Sequence, residues 1–287
     1  MTYRSVIWPA LSVLAIVGLS FQPASAYTVL EPQSSVEGKS IAEWTAAWWT
    51  WALQAPLATN PLTDPNGAFA NVNNDGPVFF IAGTFGTSGP QSRTFKVPVG
   101  KPVLVPMINF FDTEPAEIDP KDATLADREN AATVLVNGWL NAVAPASLFA
   151  SIDGNPVANP NQYLQVTGLF SMGATQPGSL VAALGVPVGA ELTPTKVSGY
   201  WLMIEGLTLG QHTLHVGGSS AEFTPETNCC NHDPIPAFLQ DNTLAITVVP
   251  EPASALLLLS GLLSVLLLAG RRKAGPRGSA ARASIRA

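Results

Sequence analysis

Residues 77–111 read PVFFIAGTFGTSGPQSRTFKVPVGKPVLVPMINFF, and this stretch decides the fold class. Val78–Ile81 is a continuous apolar run, which is typical of a strand buried on both faces. Ser92–Val97 alternates polar and apolar residues, as a half-buried strand does. Val103–Phe111 is apolar again, and Pro106 within it marks an edge or a bulge. Three short strands separated by turn-forming residues predict a mainly β domain.

The rest of the body, residues 27–249, continues this pattern. Asp153–Asn155 is a hairpin signal, and the glycines that bound Gly206–Gly210 predict a second hairpin between the apolar segments on either side. Further strands are predicted at Ser147–Ile152, Tyr163–Phe170, Tyr200–Glu205, His212–Val216 and Asn242–Val249. About eight short strands predict one antiparallel β-sandwich, jelly-roll-like in arrangement.

Two amphipathic helices are predicted to pack beside this sandwich. Ser40 followed by Glu43 is a capping box, so the first helix is expected to begin at the next residue, Ile41. Pro56 ends it, because proline cannot continue a helix. The second helix covers Thr124–Ala142, where apolar and polar residues fall on opposite faces.

The first helix carries four tryptophans in eight residues: Trp44, Trp48, Trp49 and Trp51. Apolar residues recur there at helical spacing, which favours a helix packed on a sheet through large aromatic side chains. The alternative is a carbohydrate-stacking platform, since sugar faces stack on aromatic rings. Trp49 borders the apolar stripe, so we predict that it is the most exposed of the four and the candidate glycan-stacking residue.

Composition and charge narrow the class of protein. Only 12% of the residues are charged and 47% are hydrophobic, which argues against intrinsic disorder. Residues 27–249 carry 7 basic and 19 acidic side chains. Because phosphate binding needs clustered Lys and Arg, this acidic body is not expected to bind nucleic acid.

Residues 1–26 have the pattern of a secretory signal peptide. A basic residue near the start precedes the apolar run Ile7–Leu19, and the small residues Ala24 and Ala26 form a cleavage site for signal peptidase. The mature chain is therefore expected to begin at Tyr27, outside the cytoplasm.

The C-terminal end carries a second apolar run, Ala253–Ala269, that is close to the length a membrane-spanning helix requires. A basic cluster follows it, and this cluster and the tail 274–287 are expected to stay in the cytoplasm. A Pro-Glu-Pro tripeptide stands directly before the run. The tripeptide comprises Pro250, Glu251 and Pro252, and the stop-transfer cluster comprises Arg271, Arg272 and Lys273.

This order of tripeptide, Leu-rich helix and basic end resembles the PEP-CTERM sorting signal of exported bacterial proteins, over residues 250–273. The resemblance implies an exosortase that recognises and removes the segment. It also implies delivery to the cell envelope or beyond, where such proteins are commonly associated with exopolysaccharide and biofilm. The body is itself similar to a group of exported bacterial proteins that share a Trp-rich helix (Glu43–Trp51), the strand GPVFFIAGT (76–84) and a late GYWL…GQHTLH segment (199–215). That similarity implies a common fold unit and no particular activity.

Histidines and cysteines that could bind a metal ion occur close together at two places. His212 and His215 lie three residues apart on a predicted strand, so their side chains point to opposite faces and are not expected to share one ion. Cys229 and Cys230 are adjacent, whereas zinc sites space their cysteines by about two to four residues. In an exported protein such thiols oxidise, so a vicinal disulfide, a bond between two chains and free thiols remain the alternatives.

No G-x-S-x-G, H-E-x-x-H or Walker motif occurs, and neither catalytic residues nor a cofactor is predicted. The sequence therefore predicts an exported cell-envelope or extracellular-matrix protein with a structural or interaction role linked to exopolysaccharide. The alternative is a secreted carbohydrate-binding protein or a hydrolase that acts on polysaccharide.

Overall fold

A computed structural model gives the structure of this chain and describes residues 27–83, 85–118, 121–227, 229–230 and 233–251. The predicted signal peptide, the apolar run Ala253–Ala269 and the basic cluster lie outside the described residues. Within the part that is described, no helix is long and apolar enough to cross a membrane.

The described chain is mainly β, as predicted. Its strands are β1 (Thr28–Val29), β2 (Ser35–Val36), β3 (Lys39–Ser40), β4 (Phe79–Phe80), β5 (Gly89–Pro98), β6 (Val103–Thr113), β7 (Phe149–Ile152), β8 (Asn155–Pro156), β9 (Leu164–Val166), β10 (Thr195–Glu205), β11 (Gly210–Ser220) and β12 (Phe238–Val249). Its α-helices are α1 (Ile41–Gln54), α2 (Leu125–Ala142) and α3 (Leu180–Ala183).

Two five-stranded sheets pack against each other. The first sheet has the order β1-β10-β6-β4, with β9 also paired to β10, and the second has the order β5-β12-β11-β7-β8. Buried side chains of both sheets form one core, to which Val105 and Leu202 contribute from the first sheet and Leu214 and Ile246 from the second. The helix α1 covers the other face of the first sheet through a second core that contains Trp48 and Trp201. The molecule is therefore layered as helix, sheet and sheet.

The expectation of purely antiparallel sheets is wrong at one pair in each sheet. β4 runs parallel to β6, and β5 runs parallel to β12. Neither pair is joined by a hairpin: β5, which belongs to the second sheet, lies between β4 and β6 in the chain, and most of the domain separates β5 from β12. Long connections of this kind allow parallel pairing, which a tight turn does not.

The predicted hairpin across Gly206–Gly210 is also wrong. β10 pairs with β6, whereas β11 pairs with β12 and β7, so the turn carries the chain from the first sheet to the second. Burial explains the crossing. Nearly every residue of β10 is buried, as a strand covered on both faces requires, while β11 alternates buried and exposed residues over its first half. The two strands therefore belong to different layers.

Both predicted helices are confirmed, and so is the capping box predicted for the first. Ser40 and Glu43 form the reciprocal hydrogen bonds of a capping box before α1. Thr124 and Asp127 form the same arrangement before α2. Leu125, the first residue of α2, is apolar but 53% exposed.

Candidate functional site

A pocket of about 360 Å³ lies where α1, α2 and the two sheets meet. Seven aromatic rings line it, and we call it the aromatic pocket. The rings belong to Trp48–Trp49 of α1, Phe85, Phe110–Phe111 of β6, Trp139 of α2 and Phe238 of β12. Its volume falls in the range of about 300–1,000 Å³ that is usual for small-molecule sites.

Contacts between these rings hold the walls in place. The Trp48 indole N–H donates a hydrogen bond to the carbonyl of Ile81 at 2.9 Å. The Trp49 ring packs against Phe111 with 4.2 Å between centroids. On the opposite side Phe110 stacks on Trp139 at 5.4 Å and 17°. The walls formed by these rings are thus fixed by α1, β6 and α2.

Burial distinguishes the floor of the aromatic pocket from its mouth. Leu62 and Gly83 are buried, whereas Gly86 and Pro236 are exposed. A side chain at Gly83 would reduce the space at the floor, because its Cβ would lie 2.9 Å from Nε2 of Gln240. Glycine at this position therefore leaves room for the Gln240 side chain.

A β-bulge lies at Pro106 of β6, where the sequence predicted an edge or a bulge. The register between β10 and β6 shifts so that Tyr200 pairs with Ile108 but the next residue pairs with Pro106. β4 pairs with β6 only at Val103 and Leu104, so Pro106 lies at the bulge against β10 and also beyond the last residue of β6 that pairs with β4. Nε2 of Gln240, a pocket residue, donates to the Pro106 carbonyl at 3.3 Å and so gives this buried oxygen a partner.

Two polar atoms of lining residues are buried without a hydrogen-bond partner in the described structure: Nε1 of Trp49 and Oδ1 of Asn109. The amide of Asn242 is also unpaired, and its nitrogen lies 3.5 Å from where a Cβ of Gly83 would be. Buried polar groups normally have partners, so each exception calls for an explanation. Among the lining residues that the structure describes, none carries a charge.

A buried arginine supports the floor. Arg93 is 3% exposed and donates hydrogen bonds to the carbonyls of Pro61 at 2.9 Å and Leu62 at 3.3 Å. It also reaches the carbonyl of Ala82, next to Gly83, at 3.4 Å. Burial lowers the pKa of Arg93, and the charge of Asp64 opposes that effect. The guanidinium therefore joins the two segments that form the floor.

The loop before the mouth contains the two cysteines. The structure joins Cys229 to Cys230 in a vicinal disulfide, one of the alternatives left open by the sequence. Phe223 and Ile235 close this loop through two backbone hydrogen bonds of 2.9 and 2.8 Å, and Ile235 then lines the pocket. A Cβ on Gly138 of α2 would overlap the ring of Phe223, so the missing side chain makes room for the base of the loop.

Trp49 is buried, at 5% exposure, so the prediction that it is the most exposed tryptophan of α1 is wrong. Trp49 borders the apolar stripe but is covered, because its ring packs against Phe111. Trp51, on the other border, donates from its indole N–H to the carbonyl of Val72 in the loop before β4. Trp49 therefore reaches the pocket from inside the protein, not as an exposed platform.

The two strand histidines do lie on opposite faces. His212 is buried between acceptors: Nδ1 contacts Oδ2 of Asp153 at 2.8 Å and Nε2 contacts the carbonyl of Thr208 at 2.9 Å. Burial lowers the pKa of His212, but the hydrogen bonds to Asp153 and Thr208 and the charge of Asp153 together raise it above the ordinary 6.5. His215 is exposed and contacts Asp241 at 2.7 Å.

Comparison with known proteins finds no protein-family model, no curated protein and no solved structure that matches this chain. The aromatic pocket was not predicted from the sequence, because its lining residues come from segments spread between Trp48 and Gln240. One signal was present: Phe110 and Phe111 are adjacent on a strand, so their rings point to opposite faces and cannot both enter the same core.

Proposed function

We propose that this chain is an exported protein of the bacterial cell envelope or extracellular matrix, sorted by an exosortase, whose body binds a ligand. The C-terminal helix anchors the precursor in the membrane until the sorting segment is removed. The body then acts at the envelope or outside the cell, in an interaction role linked to exopolysaccharide.

The position of the Pro-Glu-Pro tripeptide supports the sorting part of this proposal. β12 ends at Val249, which accepts a hydrogen bond from the backbone N–H of Val99 at 2.8 Å. The next two residues, Pro250 and Glu251, are exposed and outside any strand. A processing enzyme that cuts there would leave every residue of β12 in its sheet.

The aromatic pocket is the observation that carries the binding role. Seven rings, held in place by contacts between α1, β6 and α2, are typical of a small-molecule site, which is lined mainly by apolar and aromatic side chains. We also propose that the sandwich is jelly-roll-like. It is supported by the passage of consecutive long strands between sheets, from β5 to β6 and from β10 to β11.

A secreted carbohydrate-binding protein is the second candidate. It is favoured by the three tryptophans of the pocket, Trp48, Trp49 and Trp139, since sugar faces stack on such rings. It requires that the sugar enter the pocket, because Trp49 is not available on the surface.

The experiment that tests the proposal is intact-mass measurement of the chain recovered from the envelope and medium of an exosortase-containing bacterium. We expect a chain that begins near Tyr27 and ends between Pro250 and Ala253. A mass that still includes Leu256–Ala287 would show that the segment is a permanent anchor. Native mass spectrometry of the same sample tests the binding role: a bound small molecule supports it, and a protein that takes up neither aromatic compounds nor sugars refutes it.

A further inference from the structure

We infer, on the basis of the membrane anchor proposed above, that one end of the sandwich rests on the lipid surface in the precursor and that the aromatic pocket faces away from the membrane. The apolar side chains of Leu209 and Val99 make the contact with lipid. We call this end the exit end, and it comprises the turn 98–102, the turn Gly206–Gly210 and the two residues after β12, Pro250 and Glu251.

The chain leaves the exit end directly before its C-terminal apolar run. β12 ends at Val249, and the run that is predicted to cross the membrane begins at Ala253. The chain between these two residues reaches at most about 14 Å when it is fully extended. The headgroup layer takes up about 5–7 Å on each side of the hydrocarbon core. The end of β12 therefore lies close to the lipid surface in the anchored precursor.

The N-terminal side of the body starts from the same end. Thr28 of β1 pairs with Glu205, the last residue of β10, so β1 begins where β10 ends. The turn Gly206–Gly210 follows β10 and leads to β11, whose first residue pairs with Val248 of β12. The predicted signal peptide ends just before Tyr27. Both predicted apolar segments of the precursor are thus joined to the body at the exit end.

Two exposed apolar side chains flank the point where the chain leaves. β11 and β12 are antiparallel, so Leu209, just before β11, lies beside Val249. On the other side of β12 the backbone N–H of Val99 donates to the carbonyl of Val249 at 2.8 Å. Leu209 is 58% exposed and Val99 is 36% exposed. Single exposed apolar residues are common on proteins, but these two stand on either side of the strand that leads into the apolar run, where contact with lipid removes them from water.

The turn that carries Leu209 is held in place by the body. Leu207 is buried and packs in the core between the two sheets. The carbonyl of Thr208 contacts Nε2 of His212 at 2.9 Å, and Nδ1 of His212 contacts Oδ2 of Asp153 at 2.8 Å. The turn therefore presents Leu209 outward in a fixed position, so contact with lipid costs little conformational freedom.

The aromatic pocket lies at the opposite end of the same strands. Phe238 lines the pocket and is the first residue of β12, about 37 Å from the last residue at about 3.4 Å per residue. Phe110–Phe111 line it from the far part of β6, a strand that begins beside Ile204 near the exit end. Gly86, at the mouth, precedes β5, which runs toward the exit end beside β12. With the exit end on lipid, the mouth opens away from the membrane and admits a ligand before the sorting segment is removed.

The contact relies on apolar side chains and not on charge. Residues 27–249 carry 19 acidic and 7 basic side chains, and anionic headgroups attract basic segments. An acidic body gains nothing from such headgroups. Vesicles of zwitterionic phosphatidylcholine are therefore the suitable probe.

Fluorescence quenching in these vesicles tests the inference on the full chain. Leu209→Cys and Val99→Cys each place an environment-sensitive fluorophore at the exit end, and Leu239→Cys, which replaces a residue 41% exposed near the start of β12, is the matched control. The native cysteines are joined to each other and do not take the label. The vesicles contain a lipid with a nitroxide near the top of its acyl chain. We expect quenching at least about threefold stronger at either exit-end position than at the control, which lies about 34 Å from the end of β12.

Leu209→Asp, with the label at the position of Val99, separates apolar contact from mere nearness to the anchor. A carboxylate resists transfer out of water, so we expect quenching to fall by about half or more. Leu239→Asp in the same labelled chain is the control and is expected to leave the quenching unchanged. Equal quenching with and without Leu209→Asp would overturn the inference, because the anchor alone would then hold the exit end near lipid. Leu209 and Leu239 are both exposed, so the fold is expected to tolerate these changes.

Failure of the inference is distinguishable from failure of the proposed function. Flotation of the same vesicles reports whether the chain is anchored: a chain that does not float refutes the anchor, and the inference falls with it. A chain that floats but is quenched equally at the positions of Leu209 and Leu239 overturns the inference and leaves the anchor standing. The intact mass of the exported chain reports on processing and is independent of both measurements.

Discussion

Replacement of Trp48 by alanine is the most informative perturbation of this fold, because Trp48 joins α1 to the first sheet and also lines the aromatic pocket. The side chain is 1% exposed and donates to the carbonyl of Ile81 at 2.9 Å. Its ring meets the rings of Trp49, Trp51 and Trp201 edge to face at 5.1, 5.9 and 5.2 Å.

The expected loss can be worked from these contacts. Removal of a buried Trp costs about 3–5 kcal/mol. Trp48→Ala also removes three edge-to-face ring pairs and leaves the Ile81 carbonyl without its hydrogen-bond partner. Its loss should therefore lie at the upper end of this range, at about 5 kcal/mol. Trp48→Phe keeps a ring but not the donor, so it should lose about 2 kcal/mol, mainly from the unpaired carbonyl.

Urea unfolding, followed by circular dichroism, measures both losses. With an m value of about 3 kcal/mol/M, Trp48→Ala should lower the midpoint by about 1.7 M. Leu57→Ala, just after α1 and 44% exposed, is the control and should stay within about 0.5 kcal/mol of wild type. A loss below about 1.5 kcal/mol for Trp48→Ala, or an equal loss for both Trp48 variants, would refute the view that the ring anchors α1.

Three further outcomes are expected. Gly138→Ala would stabilise an exposed helix, but here it should cost about 1–3 kcal/mol of folding free energy, because its Cβ overlaps the ring of Phe223. Phe223→Ala in the same chain should relieve the overlap. Thermal unfolding of the single and double variants measures both effects. Replacing Cys229 and Cys230 together by serine should cost only about 1 kcal/mol, because the disulfide closes a minimal loop, and a loss of fold in chemical denaturation would contradict this. The pKa of His212 is raised in the folded state, so its protonated form stabilises the fold fully below pH 6.5, and this contribution is lost as the pH rises through the folded-state pKa. The free energy of unfolding of the wild type should therefore fall over that pH range. His212→Gln should flatten this pH profile.

The two helices could be predicted because their signals are local. A capping box involves residues three apart, and an apolar stripe needs only the helical period, so Ser40, Glu43 and the spacing of the tryptophans were sufficient. The bulge at Pro106 could be predicted for the same reason, since proline cannot donate to its neighbour strand.

The pairing between strands could not be predicted from such local signals. β10 and β11 are joined by a turn that suits a hairpin, yet each pairs with strands from other parts of the chain. Their partners depend on which layers cover each face, and that is a property of the assembled core. Trp49 was misjudged for a related reason: the helical period identified one buried stripe, but packing of Phe111 against Trp49 buries its border as well.

The sequence by itself determined the class of elements, the start and end of the main helices and the position of the Pro-Glu-Pro tripeptide directly after the last strand, because each depends on residues close together in the chain. Only the tertiary structure decided that Trp49, Asn109 and Trp139 meet at one pocket. These residues lie far apart in sequence and on three different elements, and their distances follow from how α1 and α2 pack on the sheets. Unpaired atoms such as Oδ1 of Asn109 have the same origin, because a polar group becomes an unsatisfied one only when the packing around it excludes water and other partners.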